Sequence, residues 1–219
     1  GGEGGGGARR SAPCSRCGRA RELTSPTTHD RRPTTGNRRD ILYLVTVLPD
    51  YLRPDLDLVF VGINPGTKSA AAGRHYAGPG NHFWPLLRES GFVSEPLSYE
   101  QDARVLEWGI GLTNMVARSS PSITDLSLDE MRAGARTLRR KLSRYAPRIV
   151  CFNGKRIYEV FAGHACDLGL QSERIGASLV YVMPSTSART ASYQRADKLR
   201  FFVELRKLLR TGARQAVAS

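Results

Sequence analysis

Leu58-Val59-Phe60-Val61-Gly62-Ile63-Asn64-Pro65-Gly66-Thr67-Lys68-Ser69 changes character halfway along. Its first half belongs to the apolar run Leu56 to Ile63, the pattern of a strand covered on both faces. Then the chain must turn. Pro65 fixes its own φ and disfavours helix at Asn64, while Gly66 accepts backbone angles that other residues avoid. Asn64 is therefore expected at the carboxyl end of a strand, where open α/β sheets form their ligand crevices.

Working outward, the periodicity keeps switching between strand and helix. A helix is expected from Arg39 through Ile41, Leu42, Leu44, Val45 and Leu48, ended by Pro49, and another over Asn81 to Glu89 with Pro85 in its first turn. Strands are expected at Gly109 to Thr113, Ile149 to Phe152 and Leu179 to Met183. Leu128 to Tyr145 reads as a long amphipathic helix entered through Ser127, with Glu130 at capping-box spacing. Lys155 to Phe161 and Ala196 to Leu209 read as two more, the last with Leu199, Phe202, Val203, Leu205 and Leu209 as its apolar residues. This order predicts an α/β fold, a three-layer α/β/α domain around a four-stranded, mostly parallel central sheet. The domain is expected over residues 39–212, followed by a flexible end at 213–219. Residues 1–38 are Gly-rich, then rich in Arg, Ser, Thr and Pro, and read as a disordered basic tail.

Charge narrows the partner. The 219 residues hold 33 bases and 20 acids, a formal +13. Residues 1–40 contribute nine arginines against four acids, so the remaining 24 bases and 16 acids still carry +8. Such a body favours a polyanion such as nucleic acid over an acidic membrane surface, and a basic surface kept for solubility would read the same. No run approaches the roughly 18 apolar residues of a membrane helix, so no membrane partner is expected. Cys14 and Cys17 form a C-x-x-C, but Cys151 and Cys166 complete no second pair, and neither metal nor cofactor is expected. The absence of a secretory signal reads as an intracellular chain with reduced thiols, and the missing initial Met as a trimmed or fragmentary amino end.

Three strand ends should share one sheet edge: Asn64, Thr113-Asn114, and the stretch Met183-Pro184-Ser185-Thr186-Ser187-Ala188-Arg189. None supplies a strong acid, base or nucleophile. There is no Ser/His/Asp set, no paired carboxylates and no G-x-x-x-x-G-K-[ST] loop, which argues against covalent hydrolases and NTPases.

Five blocks then carry a resemblance. Gly62-Ile-Asn-Pro-Gly66, Gly73-Arg-His-Tyr-Ala-Gly-Pro-Gly-Asn-His-Phe-Trp84, Gly109-Ile-Gly-Leu-Thr-Asn-Met-Val116, Phe152-Asn-Gly-Lys155 and Met183 to Arg189 stand in the order found in the mismatch-specific uracil/thymine-DNA glycosylases. The chain resembles that family over essentially the whole expected domain. The final loop, Met-Pro-Ser-Thr-Ser-Ala-Arg, is closer to the thymine-DNA glycosylase branch than to the bacterial mismatch-uracil branch.

The resemblance implies a monofunctional glycosylase that flips a mispaired or modified pyrimidine out of duplex DNA and hydrolyses its N-glycosidic bond. It implies that Asn64 orients the attacking water, with Ser120 assisting where the family has a threonine. Ile63, Gly66, His75, Tyr76 and Asn114 would hold the base, Tyr76 by stacking and Asn114 by hydrogen bonds. Asn153, Lys155, Ser185, Ser187 and Ala188 would contact DNA phosphates, and Arg189 would fill the gap left by the extruded nucleotide. Plainer readings remain beside these: a core tyrosine at Tyr76, a turn residue at Asn114 or Ser120, a solvated His75, and a helix cap at Asn153-Gly154-Lys155. The resemblance further implies a monomer acting ahead of abasic-site repair enzymes, in the nucleus if eukaryotic and the cytoplasm if bacterial.

The chain also departs from the family. Ser192 stands where vertebrate relatives have a glutamine that contacts the opposite guanine, Ser69 replaces an alanine, and Arg74 replaces a histidine. Two other functions fit the same residues: a noncatalytic mismatch-DNA binder, and a generic α/β nucleotide-binding enzyme.

Overall fold

Every residue of the first strand, β1 (Leu58–Gly62), is buried, and its side chains divide between two cores. Leu58 and Phe60 enter one, Val59 and Val61 the other, because successive strand residues face opposite sides of a sheet. The structure, a computed structural model, describes Gly1, residues 47–189 and residues 192–217, with side chains of the last helix up to residue 211. The basic tail and most of the helix expected from Arg39 lie outside the described residues. Val47 to Asp50 have no regular structure.

After β1 come α1 (Thr67–Ala72), α2 (Phe83–Glu89), a 3-10 segment Tyr99–Trp108, β2 (Ile110–Asn114), a short 3-10 turn Ile123–Asp125 and α3 (Leu128–Tyr145). The chain continues through β3 (Ile149–Asn153), α4 (Lys155–Ala162), β4 (Gly169–Ile175), β5 (Ser178–Met183) and α5 (Arg195–Val217). The sheet has five strands in the order β2-β1-β3-β5-β4. Four are parallel, as expected; β4 is antiparallel to β5 and makes the sheet mixed. The expectation of four strands is corrected by this edge strand. Its sequence, Gly-Leu-Gln-Ser-Glu-Arg-Ile, buries only Ile175 fully, so no apolar run announces it.

Three layers result. Met131, Ala135, Leu138 and Leu142 of α3 and Ile157, Tyr158 and Phe161 of α4 pack on Val59, Val61, Val150, Phe152, Val180 and Val182. On the opposite face, Phe83, Trp84, Leu86 and Leu87 of α2 and Phe202 and Leu205 of α5 cover Phe60, Cys151, Tyr181 and Met183. Phe60 lies edge-on to Phe83 and stacked with Phe202, tying strand and helices through one aromatic cluster.

Strand order positions the site. From β1 the chain moves to β2 on one side; from β2 it crosses through α3 to β3 on the other. Connections therefore diverge at the carboxyl ends of β1 and β3, the switch point where a crevice opens. Asn64 follows the first of these strands and Asn153 ends the second.

Candidate active site

A cavity of about 780 Å³ lies at that switch point, and Asn64, Ser120, Ile63, Gly66, His75, Tyr76 and Asn114 all line it. Asn153, Lys155, Ser185, Ser187, Ala188 and Arg189 line it too. One edge of the sheet thus gathers the residues to which the resemblance gave catalytic, base-holding or DNA-contact roles.

Asn64 is fixed by its neighbours. Its Nδ2 donates to the Arg118 carbonyl at 3.0 Å and to Ser120 Oγ at 2.8 Å. A carbonyl can only accept, so the nitrogen must face Arg118, and Oδ1, with no donor among the described residues, is left as an acceptor at the cavity. The loops themselves are laced together, with Val116 N–H donating to Ile63 O and Ser120 N–H to Pro65 O. Arg118 is braced in turn by Glu130, through two hydrogen bonds of 2.8 Å. That pairing pulls the Glu130 carboxyl below its usual range, chiefly through the guanidinium. It also alters the expected capping box, since Ser127 Oγ accepts the Glu130 N–H while the Glu130 side chain turns away to Arg118.

Ser120 differs from the expectation of direct help to a water. It is 3% exposed, accepts from Asn64 and donates its own proton to the Ser122 carbonyl at 2.6 Å. Its hydroxyl is committed to holding Asn64.

Tyr76 forms the aromatic wall. Its ring lies on Phe83 at a centroid distance of 3.9 Å and an interplanar angle of 17°. Its backbone adopts φ 56°, a left-handed conformation that is uncommon for a bulky residue and costs about 1–3 kcal/mol. The flanking peptides enforce it. His75 N–H donates to Asp102, Trp84 Nε1–H reaches the His75 carbonyl, and Ala77 N–H donates to Ser69 Oγ. The hydroxyl of Ser69 thus adds one clamp to this turn. The Tyr76 hydroxyl is buried with no partner among the described residues, and burial pushes its pKa up.

His75 is 2% exposed, so the solvated reading fails. Burial lowers its pKa, and Nε2 lies 2.9 Å from the Pro49 carbonyl, which places the proton of the neutral ring on Nε2. The residue beneath this turn was missed in the sequence. Asp102, fully buried, accepts from the Tyr51 hydroxyl at 2.9 Å, from Arg74 at 2.8 Å and from the His75 N–H at 2.9 Å. It lies in a 3-10 segment, and nothing in the local pattern marks it.

Asn114 sits opposite Gly62 in the parallel register, and its side chain makes no hydrogen bond among those described. A methyl group at Gly62 would lie 2.4 Å from Asn114 Oδ1, so only glycine lets the amide fold over β1 into the cavity.

The loop Ser185 to Arg189 is anchored from below. Asn153, 5% exposed, pairs both ends of its amide with Thr186, at 2.9 Å each way. It braces the loop rather than presenting its amide to a phosphate, and α4 is capped without it. His82 N–H donates to the Thr186 carbonyl, and Lys198 Nζ donates to the Ser187 carbonyl at 2.9 Å. Lys198 is 2% exposed, and its desolvation lowers its pKa. Its place in register with Phe202 and Leu205 on the buried face of α5 was the available sequence signal. Ser185 and Ser187 hydroxyls accept from backbone N–H groups two residues on. Arg189 reaches across to the Pro121 carbonyl. Gly80 abuts Ala188, where an added methyl would come within 2.9 Å of its Cβ.

Lys68, Lys155, Arg156 and Arg189 line the cavity, and no carboxylate does among the described residues. Such a wall attracts anions and offers no carboxylate to remove a proton from water. Among the described residues no group of three His, Cys, Asp or Glu could hold a metal ion, and no helix is long and apolar enough to cross a membrane.

Residues 49–210 match the family model of the uracil DNA glycosylase superfamily. The fold is similar to the solution NMR structure of a candidate uracil DNA glycosylase from Methanosarcina acetivorans, at 19% identity and a TM-score of 0.50. That alignment covers 74% of this chain and 96% of the other. With the family match spanning most of its length, the chain belongs to the uracil DNA glycosylase superfamily, and is a DNA glycosylase whose partner is DNA.

Proposed function

We propose that the chain is a monofunctional DNA glycosylase that removes a mispaired or modified pyrimidine, such as uracil or thymine opposite guanine or an oxidised cytosine. The observation that carries this reading is the orientation of Asn64, its Nδ2 held by two acceptors so that Oδ1 remains at the cavity. A neutral amide can hold a water but cannot take its proton. The bond to the base must therefore be largely broken, with the sugar near an oxocarbenium ion, before the water attacks.

The substrate base enters by rotation out of the stack, a move that costs least at a faulty pair. Tyr76 stacks on it from the Phe83 side and the free amide of Asn114 meets its edge. Backbone N–H groups at Ile63 and Tyr76 are the proposed donors to the departing base anion. Lys155, Ser185, Ser187 and the Ala188 backbone take phosphates, while Arg189 leaves Pro121 to enter the vacated space. The absence of carboxylates from the described wall favours this anionic leaving group, since no carboxylate lining the cavity opposes it and Asp102 behind the wall is paired with Arg74. A monomer suffices for this chemistry, because every proposed role falls on one chain.

The test uses labelled duplexes containing G·U, G·T, A·U or 5-carboxylcytosine, with alkali cleavage of the abasic product. Strand breaks are expected for the native protein. Asn64→Ala is expected to abolish them while retaining affinity for the mispaired duplex. Full excision by that variant would sink the proposed role of Asn64. Absence of cleavage on any duplex by the native protein would favour the noncatalytic mismatch binder.

A further inference from the structure

Away from the cavity, α3 presents a surface of a different kind. Between Met131 and Tyr145 it carries six bases and no acid. Two of the six are bonded to other elements. Lys141 donates to the Asp50 carboxylate at 2.5 Å, and Arg139 reaches the Phe161 carbonyl and lies over the Phe161 ring. The other four, Arg132, Arg136, Arg140 and Arg144, recur every fourth residue and are all exposed. Among the described residues their partners lie only within α3: Asp129 for Arg132, Thr137 for Arg140 and the Tyr145 ring for Arg144. Helical geometry carries this stripe across the side opposite Met131, Ala135, Leu138 and Leu142, the buried face.

The fold does not require such a stripe. Like charges four residues apart on a helix repel, and a face that needs only to be wetted is served by alternating signs. The choice of arginine is informative too, because its fork matches phosphate oxygens in pairs. Position gives the third argument. Arg156, at the start of α4, lines the main cavity and also a second groove of about 360 Å³ that Arg132 lines. Glu159 faces Arg156 at 3.8 Å and is the one acid lining that groove among the described residues, while Asp129 lies beside Arg132 at the start of α3. Positive charge thus runs from the cavity mouth onto α3.

The β2-α3-β3 crossover takes the chain back from the carboxyl edge of the sheet to its amino edge. Arg132 is near the cavity edge, and Arg144 is about 18 Å further down the flank at 1.5 Å per helical residue. A duplex lying across the carboxyl edge could follow that flank only by bending sharply, at a cost in deformation energy, whereas a separate segment reaches it unbent. We propose that Arg132, Arg136, Arg140 and Arg144 form a second, sequence-independent surface for the backbone of a separate duplex segment, so that one protein engages two duplexes at once. The first duplex, at the cavity, rests on the function proposed above; the stripe does not depend on catalysis.

The experiment follows dissociation of a labelled undamaged duplex from the full chain while unlabelled duplex is added. The native protein is expected to release its label faster as competitor rises, because the second duplex binds before the first leaves. The variant with all four arginines changed to glutamine is expected to release at a rate independent of competitor. Its affinity should depend less steeply on salt, by up to about 0.9 in log–log slope per arginine lost. Its excision rate at saturating enzyme should be unchanged. A variant with four lysines tests folding and charge together, and is expected to restore the competitor effect. Native release that ignores competitor, or a glutamine variant with native slope and native competitor response, overturns the proposal. So does a glutamine variant that loses affinity for polyglutamate while its behaviour toward duplex is unchanged. A native protein that makes no abasic sites yet keeps the competitor effect would refute the cavity reading and leave the stripe standing.

Discussion

Asp102 Oδ2 accepts the His75 N–H at 2.9 Å, one residue before Tyr76, so a buried carboxylate controls the backbone of the aromatic wall. Removing it in Asp102→Ala leaves the Tyr51 hydroxyl, Arg74 and the His75 N–H without their partner. Urea unfolding should report a loss of about 3 kcal/mol. Asp102→Asn, similar in shape, should lose less. In both variants base binding should weaken, because the strained turn at Tyr76 loses a restraint. A stability equal to the native value would show that the carboxylate is dispensable.

Ser120 carries a narrower expectation. Its hydroxyl is one of two acceptors that orient Asn64, so Ser120→Ala should slow single-turnover excision about tenfold, or about 1.4 kcal/mol in the barrier. Duplex affinity should stay the same. Ser120→Thr keeps the hydroxyl and should keep the rate. An affinity loss without a rate loss would move Ser120 out of the catalytic arrangement.

At Gly62 the fault would be steric. Gly62→Ala puts a methyl 2.4 Å from Asn114 Oδ1, a contact relieved only by moving the amide. The backbone angle is ordinary, so the melting temperature should change little. Discrimination among target bases should collapse, measured as the ratio of excision rates on uracil and 5-carboxylcytosine duplexes. A crystal structure of the variant with Asn114 in its native place would contradict this account.

His75 links stability to pH. Burial lowers its folded pKa from 6.5, so below that value the unfolded chain takes up a proton that the folded one resists. Its contribution is complete above pH 6.5 and is lost as pH falls. His164 works in the opposite sense. The Ala165 carbonyl and Glu173 raise its pKa, giving stability below 6.5 that disappears as pH rises, but its half-exposed position makes this small. Thermal unfolding across the titration range should therefore show a net loss on the acid side, shallower in His75→Gln. An identical acid slope in that variant would refute the assignment.

How much was readable in advance follows from what each segment buries. Leu56 to Ile63 buries both faces and reads as a strand without help; α3 alternates buried and exposed positions at helical spacing and reads with its bounds intact. β4 carries Gln171, Ser172, Glu173 and Arg174 on an edge, so its identity comes from pairing with β5 and not from its own pattern. The helix after Ala196 runs on to Val217, beyond the apolar residues that suggested its end at Leu209. The site divides similarly. Asn64, Tyr76 and Asn114 stand in motifs that name them, whereas Asp102 acts through long-range bonds that no local spacing encodes, and for Lys198 helical spacing shows the buried face but not the bond to Ser187. Asn153 was found but miscast, because its partner Thr186 is 33 positions away.

Arg189 hydrogen-bonds the Pro121 carbonyl, and this joins the loop after β5 to the loop after β2 across the cavity. A guanidinium cannot occupy both that bridge and the interior of a duplex. Under the role proposed for Arg189, the side chain that bridges these loops at rest is the one that would enter the duplex, so admission of a nucleotide and plugging of the helix it left would be halves of a single exchange. Loose nucleosides, lacking a helix to receive the arginine, would on that proposal leave the bridge in place.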